Sequence, residues 1–313
     1  MPRVIMVVGI LAGVAVAAIG GIVAWASVRP FAPGDYTTST KTGGDVEATF
    51  LAAGQHDVAS KTADVPESFK RYEVWYPADI TEDDDTYPVV IISNGTGVPA
   101  SKAKAVWEHY ASWGFIVLAT EEEYSWNGFS SEMCARFAEK LNTQDKIGEW
   151  DENPLKGHLD LEHAAAVGHS QGGVGALNAV THTDHGSMYT CAVLLSPTNE
   201  ELAHSLEWDY DATRVTVPTL MMSSTGSGDT GLVVSPDQLA KIYGDVATDT
   251  KIMAVRNDCD HGEMLYKADG YVTAFLRWQL CGDQRAASAF VGDGAEVLAN
   301  PLYQNAQVSA SAE

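Results

Sequence analysis

The chain has 313 residues, and 19 lysine and arginine residues against 42 aspartate and glutamate residues give it a net charge of −23 at pH 7. Its hydrophobic content of 45% is sufficient for a substantial core, which excludes a mainly disordered protein. A surface this acidic repels phosphate groups, so we expect no nucleic acid partner.

The chain starts with an apolar segment, Val4–Val28, bounded by Arg3 and Arg29. A bilayer span needs about 20 such residues, so the segment is long enough to cross a membrane. Ala24–Ala26 has the small-x-small form of a signal-peptidase site, which favours a cleaved signal peptide over residues 1–29. The apolar run exceeds the usual core of about 7–15 residues, which favours a retained membrane anchor. Both interpretations predict an exported protein.

Composition divides the rest of the chain into three parts. Residues 30–45 are rich in Pro, Gly, Ser and Thr, which is typical of a linker. Residues 46–300 carry the regular hydrophobic patterns of one catalytic domain, and residues 301–313 form a weakly patterned tail that we expect to fray. Two alternatives stay open for the four cysteines, disulfides in any of three full pairings or unpaired buried thiols: Cys134, Cys191, Cys259 and Cys281.

Short buried strands alternate with helical patterns along this domain. The hydrophobic periodicity predicts strands at 69–77, 89–93, 115–120, 164–168, 191–196, 219–224 and 251–255. It predicts helices at 99–113, 131–142, 172–180, 236–243 and 265–280, and a loop-rich stretch at 143–160. Such alternation indicates an α/β fold with a mostly parallel central sheet and helices on both faces.

One pentapeptide stands at the junction of a predicted strand and a predicted helix. Residues 168–172 read GHSQG, which matches the G-x-S-x-G pattern of serine hydrolases. In that setting the serine lies in a strained turn above the carboxyl edge of the sheet, at the N-terminus of the next helix. Ser170 is therefore the candidate nucleophile.

A serine hydroxyl needs a neighbouring base, and the base needs a carboxylate that orients it. His261 follows the last predicted strand and precedes the final helix, which brings it to the same sheet edge. Asp229 lies in the loop after the strand at 219–224, and the order Ser170, Asp229, His261 is that of α/β-hydrolases. Three other carboxylates remain alternatives to Asp229, namely Glu200, Glu201 and Asp237.

The oxyanion of a tetrahedral intermediate needs two fixed N–H donors. The backbone amide of Gln171, directly after the nucleophile, is expected to be one of them. The loop 94–97 after the strand at 89–93 is expected to supply the other, through the amide of Thr96.

Four segments give residues 69–282 a resemblance to a known group of enzymes: PVVIISNGTG, GHSQGGVGA, VPTLMM followed by GDT, and DHGEM followed by FLRWQLCGD. Together they resemble the bacterial α/β-hydrolases of the polyesterase–lipase–cutinase and chlorophyllase-like group. The resemblance implies a serine esterase in which the 94–96 segment supplies an oxyanion donor. The residue after the nucleophile is often Met in polyesterases, and here it is Gln171. Thr96 replaces their usual aromatic residue at the oxyanion loop.

The sequence contains no P-loop or HExxH motif, so it predicts neither a cofactor nor a metal. The expected function is that of an exported serine carboxylic-ester hydrolase acting through an acyl-enzyme on a small-molecule or lipid-like ester. An acyltransferase or peptidase with the same residues, and a non-catalytic binding protein on a hydrolase scaffold, are the alternatives. A membrane is a partner only if residues 4–28 are retained.

Overall fold

The computed structural model describes residues 31–64, 70–82 and 84–310. The apolar segment 4–28 and the predicted signal peptide or anchor therefore lie outside the described residues. Across the part of the chain that is described, no helix is both long and apolar enough to span a bilayer.

The described residues form one nine-stranded sheet in the order β1-β2-β4-β3-β5-β6-β7-β8-β9. Strands β3 to β8 run parallel, whereas β1, β2 and β9 make antiparallel pairs at the two edges. The strands are β1 Val58–Ala63, β2 Tyr72–Pro77, β3 Tyr87–Ser93, β4 Ile116–Thr120, β5 Leu159–His169, β6 Tyr189–Leu195, β7 Thr219–Ser224, β8 Lys251–Arg256 and β9 Tyr303–Ser309.

Helices cover both faces of the sheet. They are α1 Tyr36–Ser39, α2 Asp45–Leu51, α3 Lys104–Ser112, α4 Phe129–Thr143, α5 Gln171–His182, α6 Glu200–Ser205, α7 Pro236–Asp245, α8 Met264–Lys267, α9 Asp269–Cys281, α10 Gln284–Ala287 and α11 Glu296–Ala299. This mostly parallel sheet between helices confirms the predicted α/β-hydrolase fold.

Two hydrophobic cores form because successive side chains of a strand point to opposite faces. In β3, Val90 and Ile92 pack with α3 and α9, whereas Val89 and Ile91 pack with α4, α5 and α7. Both sets are buried, which explains why the central strands are continuous apolar runs rather than alternating ones.

The prediction of a free linker is wrong for the described residues 31–45. Phe31 and Tyr36 are buried in the first of these cores. The Tyr36 hydroxyl donates a hydrogen bond of 2.6 Å to Asp269 Oδ2 in α9. The buried side chains of Phe31 and Tyr36 therefore hold this segment of small and polar residues against the domain.

The prediction of a frayed tail after residue 300 is also wrong. Residues 303–309 form β9, which pairs antiparallel with β8. The Tyr303 hydroxyl donates to Glu47 Oε1 at 3.0 Å and accepts from Arg256 Nη1 at 2.7 Å. Backbone pairing and this buried ion-pair network hold a strand whose other side chains are mostly polar and solvent-facing.

All four cysteines lie among the described residues, and all four are free thiols. Cys134, Cys191 and Cys259 are buried, and Cys281 is exposed. Burial raises the pKa of the Cys259 thiol to about 12. The structure therefore matches the alternative in which the cysteines are unpaired.

Candidate active site

Ser170 occupies a one-residue turn between β5, which ends at His169, and α5, which begins at Gln171. Its backbone angles, φ 60° and ψ −124°, are rarely adopted by a residue with a side chain. Glycines on both sides permit the turn. A Cβ on Gly168 would collide with the carbonyl oxygen of Gly172, and a Cβ on Gly172 would collide with that of Ser93.

Two hydrogen bonds connect Ser170 with residues from distant parts of the chain. His261 Nε2 lies 2.9 Å from Ser170 Oγ, and His261 Nδ1 lies 2.6 Å from Asp229 Oδ1. Asp229 starts a π-helical turn after β7, and His261 starts a 3-10 turn after β8. The carboxyl ends of three parallel strands thus bring these three side chains together.

The carboxylate of Asp229 is completely buried, and hydrogen-bond donors surround both of its oxygens. Oδ2 accepts from Ser196 Oγ at 2.7 Å, from Ser224 N at 2.8 Å and from Ser224 Oγ at 2.6 Å. Burial acts to raise the pKa of Asp229, but the bonds from His261 and the two serines hold it below its ordinary value. Asp229 is therefore an anion at neutral pH.

An ionised Asp229 accepts hydrogen bonds only, so the proton of a neutral His261 lies on Nδ1. Nε2 is then an acceptor, and the Ser170 hydroxyl donates to it. This arrangement can move the proton of Ser170 onto His261 during an attack by Oγ, and Asp229 then lies next to the imidazolium.

His169, the residue before Ser170, contacts both the backbone and the ring of His261. Its Nε2–H donates a 2.8 Å hydrogen bond to the carbonyl oxygen of His261, and the two rings lie 4.6 Å apart. Burial and the neighbouring His261 lower the pKa of His169 to about 3, so it is neutral at physiological pH. No part in the site was expected for His169 from the sequence, but the structure places it in hydrogen-bond contact with the backbone of His261.

The loop 94–97 lies beside the turn and is held rigidly. The Asn94 side chain donates to the carbonyl oxygens of Thr120 at 2.6 Å and Glu122 at 2.7 Å. The Gly97 amide donates to the carbonyl oxygen of Glu123 at 3.0 Å. These bonds fix the backbone on either side of Thr96, which lines the same cleft as Ser170.

Gln171 contributes through its backbone and through its side chain. Its N–H belongs to the first turn of α5, where amides have no partner within the helix. Its side-chain Oε1 accepts a 2.8 Å hydrogen bond from the Ser125 amide. The Gln171 side chain therefore holds the segment after β4 next to the turn that contains Ser170.

Of the carboxylates considered from the sequence, the structure brings Asp229 to His261. Glu200 lies in α6 and forms an ion pair of 2.6 Å with Lys241 instead. Ser196 and Ser224 were not predicted to contact Asp229. Their positions could have indicated this contact, because one hydroxyl directly after β6 and another at the end of β7 meet at the sheet edge where Asp229 is expected.

A cleft opens directly beside Ser170. Its free volume, including the part open to solvent, is about 370 Å³, and Thr96, Ser170 and Thr198 are its polar lining. Within residues 31–64, 70–82 and 84–310, no group of three or more His, Cys, Asp or Glu side chains is arranged to hold a metal ion.

Comparison with sequence models of protein families agrees with this fold, whereas no curated protein matches the sequence. The sequence model of the family described as PET hydrolase-like matches residues 35–292, which is well over half of the chain. The match begins within the N-terminal segment that the structure packs against the domain. The chain therefore belongs to the PET hydrolase-like family of α/β-hydrolases and is an ester hydrolase.

Proposed function

We propose that the protein hydrolyses carboxylic esters through a Ser170–His261–Asp229 triad and an acyl-enzyme intermediate. The observation that carries the proposal is the pair of hydrogen bonds from His261, 2.9 Å to Ser170 Oγ and 2.6 Å to Asp229 Oδ1. The first distance lies within the range in which a base removes a proton from a nucleophile, and the second is a hydrogen bond through which a carboxylate orients the base.

The reaction has two halves. Ser170 Oγ attacks the ester carbonyl carbon while its proton moves to His261 Nε2, and the backbone amides of Thr96 and Gln171 stabilise the oxyanion. The alkoxide leaves with the proton from His261, and the acyl group stays on Ser170. His261 then takes a proton from water, the hydroxide attacks the acyl carbon, and Ser170 recovers its proton as the acid departs. Asp229 holds the tautomer and stabilises the imidazolium.

We also propose that the enzyme works outside the cytoplasm. The apolar segment 4–28 supports export, either as a cleaved signal peptide or as a retained anchor. Comparison of the intact mass of the protein from the medium with that from the membrane fraction decides between cleavage near Ala26 and retention.

The test of the mechanism is a double-mutant cycle on the hydrolysis of p-nitrophenyl acetate. Residues that act as one unit lose activity non-additively, so Ser170→Ala, His261→Ala and the double variant are expected to have similar kcat values. Each variant is expected to lose at least about a thousandfold in kcat. Additive losses, or a wild-type protein that is folded but hydrolyses no ester, would contradict the proposal.

A further inference from the structure

Most of the residues that line the cleft beside Ser170 are apolar, and together they are called the apolar wall. The segment between β6 and β7 contributes most of it, and the turn that starts at Asp229 contributes the rest. The lining side chains on this wall are Leu202, Leu206, Trp208, Leu232 and Val233. Since these side chains line the same cleft as Ser170, a group bound against them belongs to the ester that Ser170 attacks.

Asn199 fixes the two parts of this wall to each other. Its backbone amide and its side-chain Nδ2 both donate to the carbonyl oxygen of Val233, at 2.9 Å and 2.8 Å. Its side-chain Oδ1 accepts from the Leu202 amide at 3.0 Å and caps α6. The Trp208 amide donates to the carbonyl oxygen of Ala203 at 2.8 Å, which folds the end of the segment back onto α6. The wall is therefore preformed.

The pocket is small, and branched aliphatic side chains form most of its surface. The space inside it, counted together with the part that is open to solvent, is about 370 Å³. Among the described residues that line it, Trp208 is the aromatic one, and Thr96 and Thr198 are polar. A flat aromatic group would lack a second ring to pack against, whereas a short alkyl group fills the space between the leucines.

The surroundings of the pocket are anionic. Among the described residues that line it, none is a lysine or an arginine. The segment between β6 and β7 exposes four carboxylates, Glu200, Glu201, Glu207 and Asp209, of which Asp209 contacts His204 at 2.7 Å. The nearby Lys241 is already paired with Glu200 at 2.6 Å and with Asp245 at 2.7 Å. A substrate with its own carboxylate therefore meets repulsion here and has no counter-ion.

From the shape and charge of this cleft we infer that the preferred substrates are uncharged esters with a short aliphatic group, which packs against Leu202, Leu206 and Leu232. This inference rests on the proposed function, because it assigns the substrate of the same site. It makes the segment between β6 and β7 the determinant of chain length.

The first test is a series of p-nitrophenyl esters from acetate to decanoate, with a parallel series of alkyl acetates that varies the alcohol. In the series whose variable group enters the pocket, kcat/KM is expected to rise about fourfold per methylene up to about four carbons, and to fall by eight. In Leu202→Ala the optimum moves to a longer chain. Leu298→Ala, which removes an exposed leucine in α11, is the matched control and keeps the wild-type optimum.

The second test compares methyl butyrate with monomethyl succinate, a methyl ester of similar length that carries a carboxylate. The anionic ester is expected to react on the order of tenfold more slowly in 10 mM salt. Raising the salt to 0.5 M is expected to narrow this difference, because the screening length falls from about 30 Å to a few ångströms. The rate for the neutral ester stays nearly constant.

The outcomes separate this inference from the proposed function. Hydrolysis that rises steadily to decanoate in one series, or an anionic ester that reacts as fast as the neutral one at low salt, overturns the inference and leaves the triad intact. An optimum that is the same in Leu202→Ala and in Leu298→Ala overturns the role of the wall. A folded protein that hydrolyses no ester in either series overturns both.

Discussion

Removal of the Ser196 hydroxyl tests how the buried Asp229 carboxylate is held. Ser196 follows β6, and its Oγ donates a 2.7 Å hydrogen bond to Asp229 Oδ2. Ser196→Ala deletes this one donor and keeps the Cβ, so the positive φ of 42° at this position is equally strained in both proteins. Ser224 still provides two donors to the same oxygen.

The expected loss follows from the charge and burial of the acceptor. A hydrogen bond to an ionised group contributes about 1.5–3 kcal/mol, and here one of three bonds to Asp229 Oδ2 is lost. We expect the free energy of unfolding of Ser196→Ala to fall by about 2 kcal/mol at pH 7. The pKa of Asp229 is lowered in the folded protein, so this stabilisation is present above its ordinary value of 3.8. It is lost as the pH falls through the lowered pKa.

Urea denaturation at pH 7 measures this loss in the free energy of unfolding, and Ser223 supplies a matched control. The Ser223 hydroxyl is also buried, one residue before Ser224, and has no hydrogen-bond partner among the described residues. Ser223→Ala is therefore expected to be neutral or slightly stabilising. If Ser196→Ala and Ser223→Ala destabilise the protein equally at pH 7, the account of how Asp229 is held is wrong.

Three further predictions concern the turn at Ser170, the buried ion pair of His109 with Asp269, and the sheet edge. In Gly168→Ala the new methyl group collides with the backbone of Gly172, so we expect a fall of at least several degrees in Tm and less soluble protein. Burial acts to lower the pKa of His109, but the carboxylate of Asp269, 2.7 Å away, outweighs it and raises that pKa. Its stabilisation is thus complete below about pH 6.5 and is lost as the pH rises through the raised value, so the Tm difference between wild type and His109→Gln should shrink from pH 6 to pH 9. Removal of residues 303–313 uncovers the edge of β8, and light scattering should detect self-association.

The sequence predicted the centre of the fold well because burial on both faces makes its strands distinctive. Strand β7 was predicted with its observed ends, and β3 and β4 within two residues of theirs. The edge strands β1 and β9 were missed because about half of their side chains are polar and only one residue in each strand is fully buried. Their pairing depends on a neighbouring strand, which a local pattern does not reveal.

The N-terminal segment was misread for a related reason. Its composition is typical of a linker, and of its described residues three lie in the core, namely Phe31, Ala32 and Tyr36. The partner of Tyr36 is Asp269, 233 positions away in the sequence. Contacts at that separation depend on the tertiary structure, and no local periodicity indicates them.

The three side chains proposed as catalytic were identifiable because a motif and a chain order fix them. Ser170 lies in a pentapeptide between a strand and a helix, and Asp229 and His261 follow later strands that end at the same edge. Ser196 and His169 were not predicted, because each acts by holding another residue in place. Such a role depends on the direction of one side chain in the folded protein.

The most direct test of the central claim is covalent labelling of the folded full-length protein with a fluorophosphonate, followed by intact mass measurement and peptide mapping. The account predicts one adduct on Ser170, with slow or no labelling in His261→Ala and none after heat denaturation. A folded wild-type protein that takes up no label, or one labelled at another serine, would contradict the claim that His261 activates Ser170.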